Sequence, residues 1–135
     1  MKVLGPVLAL WLAACVTPAA PPPAALEPSD LNGTWDVAMF YSPDEPPSST
    51  VLELQVGEGG ALTGSFYQSA FEDAEYALRG STLAFGAVTT DGTAPYSHSG
   101  RLVDGKIEGQ TLSHGRDFLM IWVATRRGET APATE

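Results

Sequence analysis

From Leu31 onward, apolar side chains recur at every second position, and glycine-rich turns interrupt the alternation about every ten residues. A period of two places these side chains on one face of a β-strand. Short strands separated by such turns are typical of an all-β sandwich or barrel. Glycines and prolines break every long window, and no stretch keeps the helical period of about 3.6 residues. The sequence therefore predicts an all-β domain.

The alternation divides into eight predicted strands, at residues 34–41, 50–56, 61–68, 75–79, 82–88, 96–103, 106–112 and 118–125. Asp104-Gly105 predicts a two-residue type I′ hairpin turn, which needs positive φ at both positions. Consecutive strands joined by short turns form an up-and-down meander, and eight of them can close on themselves and remove both edges. We therefore predict a single eight-stranded antiparallel up-and-down barrel over residues 31–127.

Short motifs at the two ends of this region resemble those of lipocalin-like barrels. Leu31-Asn32-Gly33-Thr34-Trp35 is similar to their Gly-x-Trp entry. Arg126 or Arg127, at the end of the last predicted strand, resembles the arginine that closes those barrels by packing over the tryptophan. Such a cation–π contact gains up to ~2 kcal/mol when desolvated. The resemblance implies that Trp35 and one of these arginines close a lipocalin-like barrel.

The amino-terminal residues predict export and a lipid anchor. Lys2 precedes an apolar run that is shorter than the ~20 residues a spanning helix needs. The run ends in Leu12-Ala13-Ala14-Cys15, which resembles the lipobox of bacterial lipoproteins. The resemblance implies a signal peptide at residues 1–14 and a Cys15 acylated with chains such as palmitate, which binds the lipid bilayer. Because Val16 and not Asp follows, it also implies the outer membrane, facing the periplasm. The alternative is an ordinary signal peptide that leaves Cys15 unmodified.

Residues 15–30 predict a tether, because prolines sit among alanines and almost no side chain in this segment could pack into a core. Such a segment favours an extended, polyproline-like rod of ~3.1 Å per residue. Residues 128–135 predict a disordered tail. The domain between them must fold without an internal disulfide, since Cys15 is the one cysteine.

The charge of the chain disfavours nucleic acid as a partner. There are 7 Lys and Arg against 16 Asp and Glu, a formal net charge of −9. An acidic surface repels phosphate backbones and attracts cationic proteins. The alternative is that the acidity serves only to keep a small exported domain soluble.

The residues that could carry chemistry are sparse. His98 and His114 are the only histidines, and they do not have metal-ligand spacing with other donors. There is no Gly-x-Ser-x-Gly elbow. Ser97 and His98 are neighbours on a strand, so their side chains face opposite ways. We therefore predict no catalytic site, no metal and no cofactor.

The barrel interior offers a more specific hypothesis. Tyr96 and His98 are expected to share a face with Gly100 and Leu102, which would place two polar groups in an apolar lumen. Apolar walls with a few convergent polar groups are typical of small-molecule sites. The predicted ligand-binding residues are Met39, Phe66, Tyr96, His98 and Trp122. The alternative is an interior filled by side chains.

These observations predict a non-catalytic, periplasm-facing lipoprotein that binds a small apolar or amphipathic ligand in its barrel. The alternative function is a protein-interaction module, such as an inhibitor of a cationic hydrolase or an envelope assembly accessory. Residues 118–123 are apolar at every position, so one face of the last strand must point outward.

Overall fold

A computed structural model describes residues 15–22 and 24–128. The predicted signal peptide (1–14) and all but the first residue of the predicted tail (128–135) lie outside these residues. The nine strands are β1 (Gly33–Phe40), β2 (Ser48–Val56), β3 (Leu62–Phe66), β4 (Ser69–Ala70), β5 (Asp73–Arg79), β6 (Thr82–Thr90), β7 (Pro95–Val103), β8 (Lys106–Ser113) and β9 (Phe118–Arg126). Two short 3₁₀ helices, Pro28–Leu31 and Glu58–Gly60, lie at one end of the sheet.

The strands form one antiparallel sheet in the order β4-β3-β2-β1-β9-β8-β7-β6-β5. Every neighbouring pair is sequential in the chain except β1 and β9, which bring the two ends of the domain together. The prediction of an all-β, lipocalin-like antiparallel barrel is confirmed, with the sheet curled into a half-barrel. The turn at Asp104 and Gly105 has positive φ values of 50° and 77°, as the type I′ prediction requires.

The structure has nine strands where the sequence predicted eight, because the predicted third strand ends early. Tyr67 and Gln68 adopt positive φ values of 52° and 65°. They turn the chain back, so that Ser69 and Ala70 pair with the end of β3. Neither Tyr nor Gln favours positive φ, so nothing in the sequence marked this turn. The following strand, β5, begins at Asp73, two residues earlier than predicted.

The two edges of the sheet, at β3–β4 and at β5, approach each other and are joined by a few hydrogen bonds. One isolated antiparallel bridge joins Ala61, just before β3, to Glu75 on β5. Nearby, the Tyr76 hydroxyl donates to the carbonyl of Gly57 at 3.3 Å. The chain crosses between these edges at residues 71–72, where the backbone N–H of Phe71 donates to the Gly64 carbonyl on β3 at 2.9 Å and that of Glu72 donates to the Val88 carbonyl on β6 at 2.8 Å. The two edges of the sheet are therefore joined by isolated hydrogen bonds and by the chain that crosses between them, without a continuous ladder of backbone hydrogen bonds.

The inward faces of the strands form one core, as the period-two pattern predicted. On β1, Trp35, Val37 and Met39 are buried. The other strands contribute Leu52, Leu54, Leu62, Phe66, Leu83, Phe85, Ala87, Leu102, Ile107, Met120, Trp122 and Ala124. Burying apolar surface at roughly 25 cal/mol per Å² is the main force that holds such a sheet in its curled form.

The 3₁₀ helix Pro28–Leu31 closes one end of the barrel. Leu31 is fully buried, and its carbonyl accepts a hydrogen bond from Trp35 Nε1 at 3.0 Å. Arg126 lies over the Trp35 ring, 4.2 Å from its centroid. The Arg126 guanidinium also donates to the carbonyls of Asp30 and Asn32. The packed domain therefore starts before residue 31, and the helix belongs to the barrel, although the sequence analysis placed residues 28–30 in the tether.

Candidate functional site

The candidate site is a cavity of about 200 Å³ at the end of the barrel opposite the 3₁₀ helix Pro28–Leu31. It lies where β1, β3, β6 and β8 end and where β7 and β9 begin. Its deeper wall is apolar and includes Met39, Phe66 and Met120, all of which are buried. Its remaining lining residues are Tyr41, Tyr67, Ser69, Thr89, Asp91, Tyr96, His98, Thr111, Arg116 and Phe118.

A chain of four hydrogen-bonded side chains crosses the base of the cavity. His98 Nε2 lies 2.8 Å from the hydroxyl oxygen of Thr89, and His98 Nδ1 lies 2.8 Å from that of Thr111. The indole Nε1 of Trp122 donates to the same Thr111 oxygen at 3.0 Å. The period-two alternation of β6, β7, β8 and β9 points all four side chains inward. We refer to Thr89, His98, Thr111 and Trp122 as the buried polar chain.

The surroundings of His98 keep its imidazole neutral. The side chain is buried, and the Phe66 ring packs against it with ring centroids 4.5 Å apart. Burial lowers the pKa of His98 to about 4, because the buried ring has lost the water that would stabilise its charged form. His98 therefore acts as a donor on one nitrogen and an acceptor on the other.

Close packing fixes the position of Trp122 beneath the cavity. Its ring lies on Gly109 of the neighbouring strand β8, where an added Cβ would come within 2.2 Å of a ring carbon. The Phe66 ring also packs against it, with ring centroids 5.3 Å apart. Glycine at position 109 therefore makes room for the indole that anchors the buried polar chain.

The rim of the cavity is polar and is organised by Asp91. One carboxylate oxygen accepts hydrogen bonds from the backbone N–H groups of Thr93 and Ala94, at 2.9 and 3.3 Å. The other accepts from the Tyr96 hydroxyl at 2.8 Å and from Arg116 at 3.1 Å. These bonds, led by the one from Thr93 and followed by the one from Tyr96, lower the pKa of Asp91 to about 2. The rim thus holds one anion paired with one cation.

Two further tyrosines lie at the rim. Tyr41 and Tyr67 are 55% and 60% exposed, so each presents a ring to solvent beside the cavity. The Tyr41 ring makes an edge-to-face contact with Phe118, with centroids 6.3 Å apart. Burial, and then the neighbouring Tyr67, raises the pKa of Tyr41. Aromatic rings with a polar end suit an entrance that is wet on one side and apolar on the other.

The structure brings four of the five predicted ligand-binding residues together. Met39, Phe66, Tyr96 and His98 line the cavity, while Trp122 is fully buried below it. Nine other lining residues were missed by the sequence analysis, among them Thr89, Thr111, Asp91 and Arg116. The sequence signal that could have pointed to some of these residues is the run of polar side chains at inward positions near one end of β6, β7 and β8.

The other predicted site residues lie away from the cavity. Of the two candidate closing arginines, Arg126 lies over Trp35, whereas Arg127 forms an exposed ion pair with Asp36. Cys15 is exposed. Ser97 and His114 form an exposed side-chain hydrogen bond of 2.8 Å outside the cavity lining. In the described residues, no group of three or more His, Cys, Asp or Glu side chains is placed to hold a metal ion.

Comparison with family models, with curated proteins and with solved structures found no match to this chain. Among residues 15–22 and 24–128, no helix has the length and apolar character needed to cross a bilayer. The geometry of the cavity is therefore the basis on which a function can be inferred.

Proposed function

We propose that this domain is a non-catalytic binding protein that takes a small apolar or amphipathic molecule into the cavity. The observation that carries the proposal is the combination of an apolar wall with one buried polar chain. Met39, Phe66 and Met120 supply apolar contacts, and Thr89 and Thr111 supply hydroxyls at the base. Small-molecule sites are built in this way, from apolar walls and a few placed polar groups.

The volume of the cavity limits what it can hold. The cavity has a volume of about 200 Å³. This is below the ~300–1,000 Å³ of typical pockets for drug-sized ligands. The occupant is therefore a compact molecule, or one end of a longer amphipathic molecule whose polar part stays at the rim beside Tyr96 and Arg116.

The test is native mass spectrometry of the protein purified gently from its own membrane fraction. A discrete added mass that is released on denaturation supports the proposal and gives the ligand class. A bare polypeptide mass, together with no uptake from a total lipid and metabolite extract, contradicts it. Met120→Trp is the matched variant, because the larger ring fills the cavity from the start of β9 and should abolish the added mass.

The location proposed for this site is the periplasmic face of the bacterial outer membrane. The support is the Leu12-Ala13-Ala14-Cys15 motif, with an exposed Cys15 followed by exposed residues 16–22. Two or more acyl chains hold a protein stably, at ~0.8 kcal/mol per buried methylene. Labelled palmitate should enter the wild-type chain and not Cys15→Ser, with Val16→Ala as the control. Equal labelling of the serine variant would contradict the anchor.

A second candidate function, binding of a cationic protein, is favoured by the outer face of the sheet. Leu119 and Ile121 on β9 are 58% and 60% exposed. Their cross-strand partners Leu112 and Phe40 are 45% and 44% exposed. We refer to these four residues as the apolar stripe. Exposed apolar patches with polar surroundings mark interaction sites.

The charge of the chain supports a cationic partner. The loop that follows Phe40 carries Asp44 and Glu45, and the formal net charge of the whole chain is −9. An acidic surface steers cationic proteins toward it, with rates that fall as salt rises. Leu119→Thr/Ile121→Thr should abolish capture of a basic periplasmic hydrolase while leaving stability nearly unchanged. Unaltered, salt-independent capture would contradict this candidate.

A further inference from the structure

We infer that the ligand enters with an uncharged acceptor oxygen, such as a ketone or ester carbonyl, which binds the open end of the buried polar chain. This inference depends on the proposed function, because it names the ligand class for the same cavity. It follows from comparing the number of donor hydrogens in the buried polar chain with the number of its hydrogen bonds.

The buried polar chain has one donor hydrogen more than it has hydrogen bonds. A neutral histidine has one N–H, each threonine has one O–H, and Trp122 has one N–H. These four hydrogens serve three hydrogen bonds, Trp122 to Thr111, Thr111 with His98, and His98 with Thr89. One donor hydrogen therefore has no acceptor among the four residues of the buried polar chain.

The surplus hydrogen lies on a cavity-lining threonine in either tautomer of His98. If Thr111 donates to Nδ1, then Nε2–H donates to Thr89, and the Thr89 hydroxyl hydrogen is left over. If Nδ1–H donates to Thr111, which also accepts from Trp122, the Thr111 hydrogen is left over. The first arrangement runs in one direction from Trp122 to Thr89, so each bond polarises the next. We assign the surplus hydrogen to Thr89.

The chemistry that this hydrogen requires is an acceptor. A buried donor left without a partner costs more than an unused second lone pair on an oxygen. The occupant of the cavity base must therefore supply an acceptor oxygen. An apolar molecule would leave the hydroxyl hydrogen of Thr89 without an acceptor.

The acceptor is uncharged because none of the described residues at the base of the cavity carries a compensating positive charge. Met39, Phe66 and Met120 surround the site, and burying a carboxylate among them is costly. His98 is neutral, and the cation of the rim, Arg116, is already paired with Asp91. A carbonyl or ether oxygen satisfies the donor without this cost.

The experiment compares three probes of similar size: acetophenone, its methylidene analogue α-methylstyrene, and benzoate. Binding is followed by NMR of the full chain with ¹³C-labelled methionine methyl groups, since Met39 and Met120 line the cavity. Acetophenone should bind about five- to tenfold more tightly than α-methylstyrene, the preference expected from one buried hydrogen bond. Benzoate should bind more weakly than acetophenone at neutral pH.

Two variants at one position test the assignment. Thr89→Ser keeps the hydroxyl and should keep the preference for the ketone. Thr89→Asp, in its ionised form, ends the buried polar chain with a group that only accepts, so the preference should be lost or reversed at a pH where this carboxyl is ionised. If Thr89→Asp does not fold, the three probes on the wild-type chain still decide.

Each outcome separates the inference from the proposed function. Equal affinity for the ketone and the alkene would overturn the inference and leave binding in the cavity intact. If benzoate binds more tightly than the other two probes, the inference that the acceptor oxygen is uncharged is overturned. Failure of all three probes to shift either methionine would overturn the inference, and native mass spectrometry then decides the proposed function separately.

Discussion

Acidification is expected to destabilise this fold through His98, in a pH range above the one in which Asp91 titrates. In the unfolded chain, a histidine has a pKa of 6.5, whereas burial lowers the pKa of His98 in the folded protein to about 4. Between these two values, the unfolded state binds a proton that the folded state does not bind. Stability therefore rises with pH across this window and is lost as the pH falls from 6.5 toward 4.

The magnitude follows from the width of the window. Each pH unit between the two pKa values changes the free energy of unfolding by about 1.4 kcal/mol. The full window of about 2.5 pH units therefore corresponds to about 3 kcal/mol. Since a domain of this kind has a total stability of about 5–15 kcal/mol, this is a large fraction. Asp91, whose pKa is lowered to about 2, loses its contribution only in the lower window between 3.8 and 2.

The assay is urea unfolding followed by tryptophan fluorescence at a series of pH values from neutral to acidic. His98→Gln is the decisive variant, because glutamine can offer one donor and one acceptor to Thr89 and Thr111 without titrating. Its stability should lose the dependence on pH in this window. His114→Gln, which removes the other histidine, should keep the loss due to His98. A wild-type profile that is flat across the window, or an NMR titration that places His98 near 6.5 in the folded protein, would refute the reasoning.

Two packing predictions can be tested by the same unfolding measurement. Gly109→Ala places a Cβ within 2.2 Å of the Trp122 ring, so we expect a loss of about 1–3 kcal/mol. Gly86→Ala is the control, since its added Cβ has its nearest neighbour at 3.9 Å, and equal losses would contradict the account. Arg126→Lys keeps the charge but loses the guanidinium that donates to Asp30 and Asn32 and covers Trp35, which we expect to cost about 1–3 kcal/mol. Arg127→Lys, at the exposed ion pair with Asp36, should cost less than about 1 kcal/mol, and a loss as large as that of Arg126→Lys would show that ring coverage is unimportant.

Much of the fold could be predicted because period-two alternation reports burial directly. Trp35, Val37 and Met39 share the inward face of β1 as the pattern required. The Asp-Gly turn at residue 104 was predictable because glycine tolerates positive φ. The turn at Tyr67 and Gln68 was not predictable, since neither residue type favours the φ values of 52° and 65° found there. The extra strand β4 follows from that turn.

The candidate site could be predicted only in part, because its parts come from distant positions in the sequence. The inward faces of β1, β3 and β7 pointed to Met39, Phe66 and His98. The pairing of Thr89 and Thr111 with His98 depends on cross-strand register, and Thr111 is the register partner of His98 on β8. A sequence pattern gives the face of a side chain but not its partner across the sheet. The rim pair of Asp91 and Arg116 joins two loops, whose geometry the alternation does not describe.

The most direct test of the central claim is the methionine methyl NMR spectrum of the protein before and after removal of any bound molecule. Of the three methionines in the chain, Met39 and Met120 line the cavity. The protein purified gently from its native cells should give Met39 and Met120 signals that move after denaturation, extraction and refolding, and return when the extract is added back. Identical spectra at all three stages would show that the cavity binds nothing from the cell, and would contradict the account.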